Sequence, residues 1–288
     1  MAKPDSAGPI GLFDSGVGGL SIWREIVRQL PYEDTVYIAD QAHVPYGSRQ
    51  LAEVRAFSEG IVQFLLRSGA KVVVVACNTA SAAALHYLRA RFPDVPFVGM
   101  EPAVKPAVEH TRTQVVGVLA TPATFHGKLF VTLVDRYGGD VRVLTQTCPG
   151  LVEAVETGAL DGAATEALLR ACLAPLLGAG IDQLVLGCTH YPFLAPLIER
   201  IVGPGVTLVD PAPAVARQTV RVLNLHGLHR AAPEPVACSE PQAARHVFCT
   251  SGGVAEFTSV LERLAPSEGR AREIRALRWN QNGVWALT

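Results

Sequence analysis

Short apolar runs recur along the chain, each stopped by small polar residues or glycine and followed by a stretch of helical spacing. Ile10–Phe13 is such a run. It stops at Asp14-Ser15-Gly16-Val17-Gly18-Gly19, and a helical pattern follows from Leu20 to Leu30 and ends at Pro31. Thr35–Ala39 reads as a second strand. Leu51–Ser68 reads as a helix, with apolar residues at 54, 57, 61, 62, 65 and 66. Val72–Ala76 is four valines and an alanine, the composition of a parallel strand buried on both faces. It breaks at Cys77-Asn78-Thr79, and Ala80–Ala90 reads as a helix. The second half keeps the rhythm. Strands are predicted at Val115–Leu119, Arg142–Thr145 and Leu184–Leu186, and helices at about Pro122–Tyr137, Thr165–Leu177 and after Pro192. Further on, His246–Gly253 reads as a strand running into a turn, and Gly253–Leu264 as a helix packing back on the first half. This alternation predicts an α/β fold with mainly parallel sheets flanked by helices.

The halves resemble each other. IGLFDSG at 10–16 parallels VGVLATP at 116–122, VVACNTAS from Val74 parallels VLGCTHYP from Val185, and GMEPAV at 99–104 parallels LVDPAP at 208–213. Three matches in one order, at nearly constant offset, imply two pseudo-symmetric α/β domains. The expected division is residues 1–100 plus 214–288 for the first and 101–213 for the second. A functional site is expected in the cleft between them.

Composition narrows the possibilities. The chain has 288 residues, with 49% hydrophobic and 18% charged residues, and 25 basic side chains balance 26 acidic ones. A near-neutral chain lacks the electrostatic footprint of a nucleic-acid binder. The longest apolar run, around Val72–Leu85, is interrupted by Asn78, Thr79 and Ser81 and is too short to cross a bilayer. No apolar leader occurs within Met1–Pro9. These features predict a cytoplasmic protein with a small-molecule ligand and neither nucleic-acid nor membrane partners. The proline-containing stretch Glu234–Gln242 reads as a loop, and the arginine cluster Arg270–Arg278 as a solvated face.

The cysteines lie at 77, 148, 172, 188, 238 and 249 without any C-x-x-C pair, so neither a zinc site nor disulfides are expected. Cys77 and Cys188 stand apart from the others. Each falls just beyond a buried strand and ahead of a predicted helix, the edge at which α/β sheets bind ligands. A thiol there has its thiolate favoured by free backbone N–H groups. Two thiols in mirrored places suit proton transfer on opposite faces of one carbon, one as base and the other as acid. A dithiol redox relay, or a binding protein that keeps the cleft without catalysis, is the alternative reading. G-V-G-G is an incomplete dinucleotide fingerprint, and neither a P-loop nor H-E-x-x-H occurs. The lysines are Lys3, Lys71, Lys105 and Lys128, and none sits in a motif that suits a pyridoxal Schiff base. No cofactor and no metal are expected. Of the remaining histidines, His43, His86, His110, His126, His226, His229 and His246 read as surface or loop residues, while Trp23, Trp279 and Trp285 are expected to pack.

DSGVGGLS at 14–21, PYG at 45–47, ACNTAS at 76–81 and GCTHYP at 187–192 together resemble the glutamate racemases, cofactor-independent enzymes of the aspartate/glutamate racemase family. The resemblance runs from Ile10 to about Val215, with a weaker echo at His246–Gly253. It implies interconversion of L- and D-glutamate by two thiols, supplying D-glutamate for peptidoglycan, in an enzyme that is commonly a homodimer. It further implies Cys77 as the thiol for the D-enantiomer, assisted by Asp14, and Cys188 as the thiol for the L-enantiomer, assisted by His190. Glu156 matches an acidic residue near the second thiol, with Glu153 three positions away in the same run. Asp14, Ser15, Pro45, Tyr46, Gly47, Asn78, Thr79, Thr121, Thr189 and His190 are expected around the substrate. A sister enzyme acting on aspartate would look similar, and Thr189-His190-Tyr191-Pro192 favours glutamate.

Overall fold

The predicted alternation builds two sheets. The computed structural model describes residues 5–126, 128–230, 243–267, 271–280 and 285–287. The first half runs β1 (Ile10–Asp14), α1 (Leu20–Gln29), β2 (Thr35–Ala39), a 3₁₀ turn at Tyr46–Ser48, α2 (Leu51–Arg67), β3 (Val72–Val75), α3 (Asn78–Arg91), β4 (Phe97–Val98) and α4 (Val104–His110). The second runs β5 (Val115–Leu119), α5 (Pro122–His126), α6 (Lys128–Tyr137), β6 (Arg142–Gln146), α7 (Leu151–Glu156), α8 (Ala163–Gly178), β7 (Gln183–Leu186), a 3₁₀ turn at Tyr191–Leu194, α9 (Ala195–Val202) and β8 (Thr207–Val209). Then come α10 (Ala212–Leu225), β9 (His246–Thr250), α11 (Val254–Leu264), β10 (Arg272–Trp279) and β11 (Trp285–Leu287).

The internal likeness read from sequence has a counterpart in topology. One sheet is ordered β11-β10-β9-β2-β1-β3-β4 and the other β6-β5-β7-β8. The order β2-β1-β3-β4 thus reappears as β6-β5-β7-β8, and the first sheet is extended by strands from the end of the chain. Every described pairing is parallel except β10 with β11. Val72 to Val75 are fully buried, as a central parallel strand requires. On α1, Leu20, Trp23, Ile26 and Val27 form the buried stripe and pack with α10. Phe257, Leu261 and Leu264 bring α11 into the same core as Trp23, as predicted for a helix returning on the first half. No helix among the described residues is long and apolar enough to cross a membrane.

Several expectations need correction. The single helix expected over 122–137 is α5 and α6, with residue 127 outside the described residues. Cys188 does not lead directly into a helix, because the 3₁₀ turn at Tyr191–Leu194 comes before α9. Cys148 and Cys172 form a disulfide, their Cα atoms 5.8 Å apart, since the buried face of α8 crosses the chain where it leaves β6. His246 is a core residue, its ring against Trp23 and its Nδ1 3.0 Å from the Thr35 hydroxyl. The arginine cluster is not simply a solvated face, because the Arg272 guanidinium lies over the Trp23 and Phe248 rings. The expected loop at Glu234–Gln242, Arg270 and the side chains of His126 and Trp285 lie outside the described residues.

Candidate active site

The ends of β1, β3, β5 and β7 converge on one cavity of about 20 Å³. Ser15 reaches it from β1, Cys77, Asn78 and Thr79 from β3, Thr121 from β5, and Cys188, Thr189 and His190 from β7. Pro45, Tyr46 and Gly47 close one wall, so all these expected residues meet. Asp14 and Glu156 are not in the lining. They stand behind it, each holding a group that is. Thr124 and Val152, which the motifs do not mark, complete the wall.

The two thiols meet different electrostatics. Cys77 caps α3, its Sγ accepting from the Ala80 N–H at 3.5 Å. The helix terminus alone would favour a thiolate, but burial first, then the Asp14 carboxyl beside it, pushes the Cys77 thiol well up. Asp14 is fully buried, and burial raises its carboxyl too. Its Oδ2 accepts from the Gly19 N–H at 2.7 Å and from the Thr189 hydroxyl at 3.3 Å.

Cys188 draws no comparable helix terminus and instead faces an imidazole. Its Sγ lies 3.7 Å from His190 Nδ1, and His190 Nε2 lies 2.6 Å from Glu156 Oε1. Burial would lower the His190 pKa, yet hydrogen bonds to Cys188 and Glu156 carry it well above the usual range. Burial would raise the Glu156 carboxyl, but His190, Gln41 and the Val17 N–H outweigh it and hold it low. Glu156, not Glu153, therefore faces the histidine. Glu153 borders a neighbouring cavity of about 220 Å³, which shares Pro45, Gly47, Thr121 and Val152 with the first.

The glycines of the first loop make this approach possible. A Cβ at Gly16 would collide with Glu156 Oε1, and one at Gly18 with the His190 ring and Thr189. At Gly19 it would sit 2.8 Å from both Asp14 Cβ and the Tyr37 hydroxyl. Thr79 and Thr121, from the two sheets, are joined by a 3.0 Å hydrogen bond, and Ser21 donates to the Thr189 carbonyl at 3.0 Å.

Two functional neighbours escaped the sequence reading. Asp40 is fully buried and accepts from the Tyr46 hydroxyl at 2.6 Å, from Ser251 and from the Trp279 indole. Gln41 donates to Glu156. Most of these partners, Ser251, Trp279 and Glu156, lie far along the chain, and no local motif marks Asp40 or Gln41. The Asn78 side chain is buried, and neither its Oδ1 nor its Nδ2 has a partner among the described residues. Buried amides are almost always paired, and this one lines the cavity with both polar atoms unpaired among the described residues. The described lining holds no lysine or arginine. An anion there would meet hydroxyls, an amide and backbone N–H groups.

Comparison with known proteins identifies relatives of the chain. The family model for Asp/Glu/hydantoin racemase matches residues 10–219. The glutamate racemase of Roseiflexus sp. (strain RS-1) is 55% identical over 78% of this chain and 83% of its own. That of Ectopseudomonas mendocina (strain ymp) is 50% identical over 90% of this chain and 95% of its own. Among solved structures, Escherichia coli glutamate racemase in complex with L-glutamate and the activator UDP-MurNAc-Ala superposes with a TM-score of 0.78 at 31% identity, covering 94% of this chain and 98% of the other.

Proposed function

This chain belongs to the Asp/Glu/hydantoin racemase family, and from that premise we propose that it interconverts L- and D-glutamate by proton transfer between two thiols. It is an amino-acid racemase. The substrate assignment rests on the likeness to glutamate racemases over most of the chain. The mechanism rests on one observation: two cysteines from different sheets line one cavity, each with its own titratable partner.

Those partners set the direction in which each thiol works. Beside the buried Asp14 carboxyl, Cys77 keeps its proton and is ready to give it. Beside His190, whose proton Glu156 helps to hold, Cys188 takes the Cα proton of L-glutamate. Cys77 then delivers a proton to the opposite face of the same carbon, and D-glutamate leaves. The reverse reaction exchanges the roles. Negative charge developing at Cα and on the adjacent carboxylate meets the Asn78 amide, the Ser15 and Thr189 hydroxyls and the N–H groups at the start of α3. Thr79 and Thr121 brace the cavity from its two sides. Residues 1–100 with 214–288 form one domain in this reading and 101–213 the other, with the substrate between them. D-Glutamate made here would serve peptidoglycan assembly.

The test is racemisation of L-glutamate by the purified protein without added cofactor, followed by circular dichroism. Cys77→Ser and Cys188→Ser are each expected to lower kcat by about 10²- to 10⁴-fold, the range of a lost acid–base group, with the fold intact. Full activity in either variant would remove the mechanism. Turnover of L-aspartate at an equal rate would remove the substrate assignment.

A further inference from the structure

One chain of hydrogen bonds in the site serves neither thiol directly. It begins at Thr250, the last residue of β9, whose hydroxyl donates to Gln41 Oε1 at 2.8 Å. Gln41 Nε2 donates to Glu156 Oε2 at 2.8 Å. The other carboxylate oxygen accepts from the Val17 N–H at 2.7 Å and lies 2.6 Å from His190 Nε2. His190 Nδ1 in turn faces Cys188 Sγ at 3.7 Å. The orientation of the amide follows from chemistry: an ionised carboxylate only accepts, so it takes the NH₂ and leaves the amide oxygen to the hydroxyl. Gly252 leaves the room this requires, since a Cβ there would stand 2.8 Å from Gln41 Cβ.

From this geometry we infer that Gln41 is a positioning residue for the second thiol, acting through Glu156 and His190. The inference rests on the two-thiol reading and adds that the strand β9, contributed by the end of the chain, helps set the reactivity of Cys188. The amide fixes one oxygen of Glu156, which fixes the other against the imidazole. It also keeps that carboxylate ionised, so the imidazole keeps its proton beside the sulfur. Without the amide, Glu156 is more readily protonated and its hold on the imidazolium weakens. Glu156 then regains its charge, and its hold on the imidazolium facing Cys188 Sγ, only at higher pH. Other titratable groups facing this assembly are Asp14, whose field reaches His190, and Tyr37, whose hydroxyl feels Glu156. Tyr191 lies beside Cys188 and also feels Glu153. None of them replaces the Gln41 hydrogen bond.

The test is the pH profile of kcat/KM for L-glutamate in Gln41→Leu. The equilibrium constant between enantiomers is one, so kcat/KM must fall equally in both directions. It is expected to drop about tenfold at neutral pH, the scale of one hydrogen bond to a charged group, and to recover toward alkaline pH. A loss that is uniform across pH, or an unchanged profile, would overturn the inference. If Gln41→Leu does not fold, Thr250→Val removes the anchor on the far side of the amide. It is expected to move the acidic limb of the profile in the same direction by less, and an unmoved limb overturns the inference. Cys188→Ser run alongside separates the two ideas. Full activity in that variant sinks the two-thiol reading, whereas a severely impaired Cys188→Ser beside a wild-type Gln41→Leu profile sinks only the role of Gln41.

Discussion

At the scale of single residues, the site is asymmetric although the fold repeats. Cys77 sits at a helix N-terminus, yet burial and Asp14 raise its pKa, and its partner is a carboxyl that is itself raised. Cys188 lies in a turn and owes its surroundings to His190 and Glu156. Mirrored backbone thus carries opposite electrostatics, which suits one acid and one base across a carbon. Asn78 adds a second residue-scale feature, a buried amide without a partner among the described residues. Leaving such a group unpaired costs about 1–3 kcal/mol in the substrate-free fold. A ligand carboxylate that accepts from it recovers that cost on binding. Asn78→Ala is therefore expected to raise KM for glutamate about tenfold while the melting temperature holds or rises. Thermal melts beside steady-state kinetics decide it, and a lower melting temperature with unchanged KM would contradict the argument.

At the scale of elements, the loop from β1 to α1 shows what was legible in the chain and what was not. The stop after Phe13 and the small residues that follow mark a strand-to-helix turn at the ligand-binding edge, and both thiols could be placed at equivalent edges. The topological repeat was legible for the same reason, since buried parallel strands have a simple composition. The reason for three glycines in one loop was not. Gly16 and Gly18 are required by Glu156, His190 and Thr189, which approach from the other half of the chain, and Gly19 by Asp14 and Tyr37. Asp40 and Gln41 escaped in a similar way: besides Tyr46, six positions from Asp40, their partners Glu156, Ser251 and Trp279 stand 115 to 239 positions away. The Cys148–Cys172 disulfide depends on how α8 crosses the end of β6, a packing detail that spacing does not encode. Gly18→Ala tests the element directly. The added methyl would meet the His190 ring and the Thr189 hydroxyl, so the loop or the histidine must move. Activity is expected to fall about 100-fold, the penalty of misplacing a catalytic group by about an ångström, with far-ultraviolet circular dichroism unchanged. Near-wild-type kcat would show that the approach is looser than the geometry implies.

At the scale of the whole molecule, chemistry and stability occupy opposite edges of the first sheet. The cavity at the C-terminal ends of the strands has room for about one water, so on the function proposed above glutamate entry requires the two halves to part. The hydrogen bonds that join them, Thr79 to Thr121, Ser21 to Thr189 and Gln41 to Glu156, must yield in part and reform around substrate. Such motion demands that something else keep the first half rigid. At the far edge Lys71 is fully buried, its Nζ 2.5 Å from Glu33 Oε2 and donating to the Ser6 carbonyl at 2.7 Å. Glu33 Oε1 accepts from the Arg230 N–H at 2.8 Å, which ties the segment after α10 to the start of β2. Removing one member of a buried pair leaves the other charge uncompensated and costs about 3–5 kcal/mol. Lys71→Met is therefore expected to destabilise the protein by about that amount, and Lys71→Met with Glu33→Leu to recover most of it. Urea unfolding measures both. The folded fraction of either variant should racemise glutamate within about twofold of wild type, because Lys71 and Glu33 lie at the opposite end of β3 from Cys77 and, among the described residues, share no hydrogen-bond partner with the cavity residues. A large loss of kcat/KM in folded Lys71→Met would mean that the far edge governs opening, and that stability and chemistry are not separated along these strands.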